Sequence, residues 1–189
     1  MKEVLLLGDS IRMFCEKRIR ELLSEEFHVS APKENCRFAA YTRNSLRFWL
    51  EEFPKPDIIH WNNGLWDIAR LYGEDECFTP LERYIDDLRG IIRVLRPTGA
   101  RIIFATTTPT DPRREEILPG VPSRHFNSDI ERYNSAARAL MTENGIEVYE
   151  LYEPVSRAIG EYISEDLIHP NAAGIEVIAG AVARRIKNL

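Results

Sequence analysis

Short apolar runs and amphipathic stretches alternate along this chain. Residues 3–7 form an apolar run that ends at Gly8-Asp9-Ser10, a pattern typical of a buried strand followed by a turn. Over residues 11–24, apolar positions recur every three or four residues, which predicts a helix with one buried face. A strand followed at once by a helix is the usual beginning of an α/β fold.

The same alternation continues to the end of the chain. The pattern predicts further strands at residues 27–30, 57–61, 101–105 and 146–149, and helices at residues 42–50, 80–95, 127–144 and 170–187. We therefore predict a three-layer α/β/α fold with a mostly parallel five-stranded sheet and a site at the carboxyl ends of its strands. No repeat or linker divides the chain, so we expect one domain over residues 1–189.

Residues 109–126 form the one long irregular segment, which is rich in proline. Segments of this length in compact domains are usually functional or mobile. Residues 109–126 contain as many basic as acidic residues, so their charge does not indicate an anionic substrate. They also lack the long apolar stretch expected of a lid over lipid tails.

Composition narrows the class of protein. Of 189 residues, 44% are hydrophobic and 29% are charged, as in ordinary globular domains. The net charge of −5 argues against a nucleic-acid partner. The three cysteines are widely spaced, which favours a reducing compartment, and no apolar run is long enough for a signal peptide or a membrane span. We expect a cytoplasmic protein without a membrane partner, although a leader removed beforehand would leave the same pattern.

Two kinds of cofactor lack their motifs. The sequence contains no glycine-rich dinucleotide motif and no phosphate-binding loop, and its histidines and cysteines do not have metal-ligand spacing. We therefore expect no cofactor and no metal.

Ser10 is the first candidate for chemistry. It follows a predicted strand and begins a predicted helix, whose free N–H groups favour negative charge on a substrate oxygen. The alternative is that Asp9 or Ser10 only caps that helix.

Asp166 and His169 are the second candidate. A three-residue separation in a turn lets the carboxylate accept from the imidazole, which orients a base able to take a serine proton. The alternative is a capped turn ahead of a helix that begins with proline.

The third candidate is Asn62-Asn63-Gly64-Leu65-Trp66-Asp67, directly after the third strand. Its side-chain amides or the indole N–H could point toward Ser10 and contribute to an oxyanion hole. The alternative is a glycine turn with a packed tryptophan.

Taken together, these motifs resemble those of the SGNH hydrolases, also called GDSL esterases and lipases. Gly8-Asp9-Ser10 matches the first sequence block of the family, Asp166-x-x-His169-Pro170 matches the fifth, and the likeness runs from Val4 to about Ile186. The resemblance implies a flavodoxin-like three-layer sandwich, with Ser10 as nucleophile, His169 as general base and Asp166 orienting it.

The family's second and third blocks are altered. Asn35-Cys36-Arg37-Phe38-Ala39-Ala40-Tyr41-Thr42 aligns with a block that usually contains two glycines, and both are missing. In the third block, Trp66 replaces the usual asparagine. The resemblance implies that the oxyanion is held by the N–H groups of Ser10 and Ala40 with a side-chain donor, for which we expect Asn63 or Trp66.

The predicted function is hydrolysis of short acyl esters, acetyl above all, on small molecules or carbohydrates through an acyl-enzyme. Asp9, Arg12 and Thr107 are the predicted substrate contacts. One alternative is a non-catalytic or weakly active binding protein on the same fold, and another is a flavin or phosphorelay domain. The oligomeric state does not follow from the sequence.

Overall fold

The computed structural model describes residues 1–189, with seven strands and seven α-helices. The strands are β1 (Lys2–Leu7), β2 (Phe27–Ser30), β3 (Ile58–Trp61), β4 (Arg70–Leu71), β5 (Arg101–Ala105), β6 (Ser123–Arg124) and β7 (Glu147–Tyr149). The helices are α1 (Ser10–Leu23), α2 (Ala39–Glu52), α3 (Leu81–Leu95), α4 (Asn127–Glu143), α5 (Tyr152–Ser156), α6 (Ile159–Tyr162) and α7 (Ala172–Lys187). Two 3-10 turns lie at Arg96–Thr98 and Pro112–Glu115.

Five strands form one parallel sheet in the order β2-β1-β3-β5-β7. This is the flavodoxin-like order, in which the chain first extends the sheet one way from β1 and then the other. The prediction of an α/β fold with a five-stranded sheet is confirmed. The crevice at the change of direction lies between the carboxyl ends of β1 and β3, and the first and third candidates follow these two strands.

Helices cover the sheet in two layers. α1 packs against α7, while α2 packs against α3 and α3 against α4. The central strands are apolar along their length because both of their faces are covered; all four residues of β3 are buried, as are the last four of β1. The buried side chains form one continuous cluster between the layers.

The structure adds elements that periodicity did not predict. β4 and β6 form a two-stranded antiparallel ribbon, and α5 and α6 are helices of five and four residues. Elements this short contain too few residues to show a period. α2 begins at Ala39, three residues before the predicted start, because Asp67 accepts from the N–H of Ala39.

None of the helices combines the length and the hydrophobicity that a membrane span requires.

Candidate active site

Ser10 lies at the carboxyl end of β1 as the first residue of α1. Asp9 caps this helix, since its carboxylate accepts from the N–H of Ile11 at 3.0 Å. Gly8 lets the helix turn back tightly on the strand, because a Cβ atom there would lie 2.8 Å from the Cβ of Arg12. The serine hydroxyl is thereby held at the sheet edge, and the N–H of Ser10, in the first helical turn, has no intrahelical acceptor.

His169 and Asp166 lie beside that hydroxyl. The Oγ atom of Ser10 is 2.8 Å from Nε2 of His169, and Nδ1 of His169 is 2.6 Å from Oδ2 of Asp166. An Nδ1–H that donates to the carboxylate leaves Nε2 free to accept from the serine hydroxyl. The structure therefore brings Ser10, His169 and Asp166, which are distant in sequence, into one hydrogen-bonded chain.

The turn before α7 fixes Asp166. Its Oδ1 atom accepts from the N–H groups of Ile168 and His169 and from the hydroxyl of Ser164, at 2.8–2.9 Å. Partial burial acts to raise the pKa of Asp166, but the N–H donors of His169 and Ile168 outweigh it and hold the pKa well below its ordinary value. Asp166 is consequently ionised near neutral pH.

A cleft of about 440 Å³ opens at Ser10 and His169. Its walls are mainly apolar and aromatic; they include Phe38, Leu65, Trp66, Leu71, Phe78 and Ile168. On the other side of the imidazole, Phe14 stacks on His169 with ring centroids 4.7 Å apart. A concave apolar site with a few polar groups at one end is the usual form of a small-molecule site.

Asn63 does not face this cleft, which corrects one prediction. Its side chain is fully buried, donates to the carbonyl of Arg37 and the hydroxyl of Thr42, and accepts from the indole of Trp61. Both amide hydrogens are used, so Asn63 has none left for an oxyanion. Its role is to join the loop after β3 to the start of α2.

Gly64 and Asp67 also fix the loop after β3. Gly64 has a φ of +155°, and a Cβ atom there would lie 2.2 Å from Oγ1 of Thr107. Asp67 is buried against the first turn of α2, and burial raises its pKa to about 7. The third-block loop and the second-block helix are therefore one packed unit.

The altered second block keeps one glycine-like conformation. Arg37, at the first missing glycine, has a left-handed backbone with a φ of 53°, and its N–H donates to Oδ1 of Asn35 at 2.7 Å. Ala40, at the second, lies in the first turn of α2 and does not line the cleft. The left-handed position that glycine favours is therefore at Arg37. The N–H of Ala40 lies in the first turn of α2 and has no intrahelical acceptor, so its role as an oxyanion donor stays a prediction.

Two side chains with an unused N–H donor do line the cleft, Asn35 and Trp66. Asn35 accepts from Arg37 through Oδ1, and its Nδ2 atom makes no hydrogen bond within the protein. Trp66 is 42% exposed, and its indole N–H also has no partner in the protein. In the sequence, Asn35 is recognisable only as the first residue of the second block.

The three predicted substrate contacts are buried and do not line the cleft that contains Ser10, so these predictions are wrong. Asp9 is fully buried in its capping role. Arg12 donates to Glu16 and to two loop carbonyls. The backbone N–H of Thr107 donates to Oδ1 of Asn134, and its hydroxyl donates to the carbonyl of Asn63. Their side chains face the protein interior instead.

His125 is a cleft residue that sequence reasoning passed over. It is buried, its Nε2–H donates to the carbonyl of Leu65 at 3.1 Å, and Nδ1 lies 3.4 Å from Nη2 of Arg114. Burial, with the charge of Arg114, lowers the pKa of His125 to about 4, so the ring is neutral near pH 7. Its place in the irregular segment 109–126 was the one hint in the sequence.

Fold and side-chain geometry together define the class: a flavodoxin-like α/β protein with a Ser-His-Asp chain at the carboxyl edge of its sheet. Residues 6–177 match the sequence profile of the GDSL-like Lipase/Acylhydrolase family, so the chain belongs to that family of hydrolases. The resemblance drawn from the sequence is thus confirmed. No curated protein matches the sequence.

Solved structures share the fold over nearly the whole chain. A lipase/acylhydrolase from Enterococcus faecalis superposes with a TM-score of 0.79 at 17% identity, over 100% of this chain and 96% of that one. Axe2, an acetylxylan esterase from Geobacillus stearothermophilus, gives 0.73 at 17% identity, over 98% and 94%. The esterase EstA from a Pseudoalteromonas species gives 0.74 at 13% identity, over 100% and 98%. At these identities the likeness is one of fold.

Proposed function

We propose that this protein is a serine ester hydrolase that works by acyl transfer through an acyl-enzyme. The observation that carries the proposal is the chain from Ser10 through His169 to Asp166, with donor–acceptor distances of 2.8 and 2.6 Å. Removing a nucleophile or base costs far more activity than removing one oxyanion donor, so an intact chain outweighs the altered second and third blocks.

The steps follow from this geometry. The Oγ atom of Ser10 attacks the ester carbonyl carbon while its proton passes to Nε2 of His169, and the carbonyl π electrons move onto oxygen. When that electron pair returns, the bond to the alcohol oxygen breaks and the alcohol takes the proton from His169. Water then adds to the acyl-serine by the same route and releases the acid and free Ser10.

Other groups around the reacting atoms stabilise the charges that develop during the reaction. Asp166 stabilises the imidazolium that forms on His169. The N–H of Ser10 is free and lies at a helix N-terminus, where negative charge on the substrate oxygen is favoured.

For the substrate, we propose a short acyl group, acetyl above all, on a carbohydrate or similar alcohol. Axe2 and another structural relative, AlAXEase, are acetylxylan esterases, which supports the choice by analogy of fold. Phe38, Trp66 and Phe78 give the cleft aromatic walls on which the alcohol part can pack.

Covalent labelling tests the reaction type. The protein is incubated with a fluorophosphonate between pH 6 and 9, and the adduct is located by peptide mass spectrometry. We expect one adduct on Ser10 and none in Ser10→Ala. Failure to label at any pH would favour a non-catalytic binding protein on this fold.

A series of nitrophenyl esters from acetate to octanoate, alongside acetylated sugars, tests the acyl group. If the acyl group is short, kcat/KM is highest for acetate and does not rise with chain length. If the cleft instead buries the acyl chain, each added methylene contributes about 0.8 kcal/mol, or roughly fourfold in kcat/KM. A steady rise of that size would refute the short-acyl proposal while leaving the esterase proposal intact.

A further inference from the structure

The carbonyl oxygen that becomes negative during attack by Ser10 needs hydrogen-bond donors, and the cleft offers few. The chain has tryptophan where its family's third block has an asparagine. Two neighbouring asparagines are occupied elsewhere: Asn63 uses both amide hydrogens inside the protein, and Asn62 donates to the carbonyl of Ala105. Neither of them lines the cleft that contains Ser10.

Asn35, unlike Asn62 and Asn63, offers a free hydrogen-bond donor in the cleft. It lines the same cleft as Ser10 and His169. Because the N–H of Arg37 can only donate, the atom of Asn35 that it contacts at 2.7 Å must be the oxygen, and the nitrogen is therefore the free end of the amide. The left-handed backbone at Arg37 directs its N–H to Asn35, so an unusual local conformation holds this amide in place.

We propose that Nδ2 of Asn35, together with the N–H of Ser10, donates to the oxyanion of the tetrahedral intermediate; this assignment rests on the proposed esterase function. Asn35 then supplies the side-chain donor that an asparagine of the third block supplies elsewhere in the family. Trp66 remains a wall of the cleft, because its ring is more exposed and no protein group fixes its N–H.

Four variants test the assignment. Asn35→Asp keeps an oxygen for the N–H of Arg37 but replaces the donor with a negative charge, whereas Asn35→Ala removes both the donor and the acceptor without adding charge. Trp66→Phe removes the indole N–H and keeps an aromatic wall. Asn44→Asp is the control for the charge change, because Asn44 is exposed on α2 away from the cleft lining.

Each variant is compared with the wild type by nitrophenyl acetate kinetics, thermal unfolding, and inhibition by a trifluoromethyl ketone that adds to the serine. Loss of an oxyanion donor predicts a 10²- to 10³-fold fall in kcat for both Asn35 variants, with KM within about threefold. The inhibition constant of the ketone rises in parallel, because the adduct carries the same negative oxygen. Asn44→Asp should match the wild type.

Three results would overturn the assignment: an Asn35→Ala protein within threefold of wild type, an Asn35→Asp protein that keeps its activity, or the large loss appearing in Trp66→Phe instead. The second result would mean that only the bond to Arg37 matters. A wild-type protein that hydrolyses no ester and forms no fluorophosphonate adduct would instead refute the esterase proposal, and the oxyanion assignment with it.

Discussion

At the scale of single residues, the clearest division of labour is between the two oxygens of Asp166. Oδ1 accepts from three donors within its own turn, and Oδ2 alone points to the imidazole of His169. Leu167, between the two residues, takes a left-handed φ of 70°. The turn is thus closed by local hydrogen bonds that also aim the carboxylate.

Asp166→Asn should lower kcat by about 10³- to 10⁴-fold, because an amide at that position no longer stabilises the imidazolium and favours the wrong tautomer. The matched control is Asp57→Asn, since Asp57 also accepts a backbone N–H, that of Glu3, but at the opposite end of the sheet. Both variants are assayed for ester hydrolysis and thermal unfolding. Equal activity of the two proteins would contradict the role of Asp166.

At the scale of elements, the segment over residues 109–126 is tied to the site at several points. β6 within it pairs with β4, and His125 donates to the carbonyl of Leu65 in the loop after β3. Arg114 reaches both His125 and the carbonyl of Ser123. The segment therefore supports the loop that carries Trp66.

His125→Ala should destabilise the protein by about 1–3 kcal/mol, because it removes a buried ring and leaves the carbonyl of Leu65 without its donor. We expect kcat/KM to fall about tenfold as the loop loosens. His125→Gln, whose amide can donate to the same carbonyl, should recover part of both losses. His28→Ala is the control, since His28 forms an exposed pair with Glu3, and should change stability by less than about 0.5 kcal/mol.

At the scale of the whole molecule, buried ionisable groups make opposing contributions to stability against pH. Burial raises the pKa of Asp9 to about 6 and lowers that of His60 to about 4. Between pH 4 and 6.5, His60 binds more protons in the unfolded chain than in the folded protein. The stability that the neutral His60 contributes is therefore present above pH 6.5 and is lost as the pH falls to 4. For the carboxyl, the folded protein binds more protons, so stability falls as the pH rises from 3.8 to about 6.

His60→Met isolates the histidine contribution, because it replaces a buried ring whose Nε2 atom has no partner with an apolar side chain of similar size. Between pH 6.5 and 4, the wild type should lose up to about 3 kcal/mol more stability than the variant, from a pKa that burial shifts from 6.5 to about 4. Urea unfolding at a series of pH values measures the difference. Parallel curves for the two proteins would contradict the assignment.

Which features can be predicted from the sequence depends on how far apart in the chain the interacting residues are. The alternation of strands and helices, the position of Ser10 after β1 and the pairing of Asp166 with His169 all arise from contacts between near neighbours in sequence. Such contacts leave periodic or closely spaced patterns, which is why these features were predictable. The β4–β6 ribbon and the short helices leave no such pattern.

The chain by itself determined which residue types could perform the chemistry: a hydroxyl at a strand end, and an imidazole three residues from a carboxylate. Only the tertiary structure decided which polar groups remain free at the site. Asn63 and Asn35 are the same residue type in similar loops, yet the first is surrounded by Arg37, Thr42 and Trp61, and the second faces a cleft. The difference arises because an amide's availability depends on partners brought to it by folding, and those partners are distant along the chain.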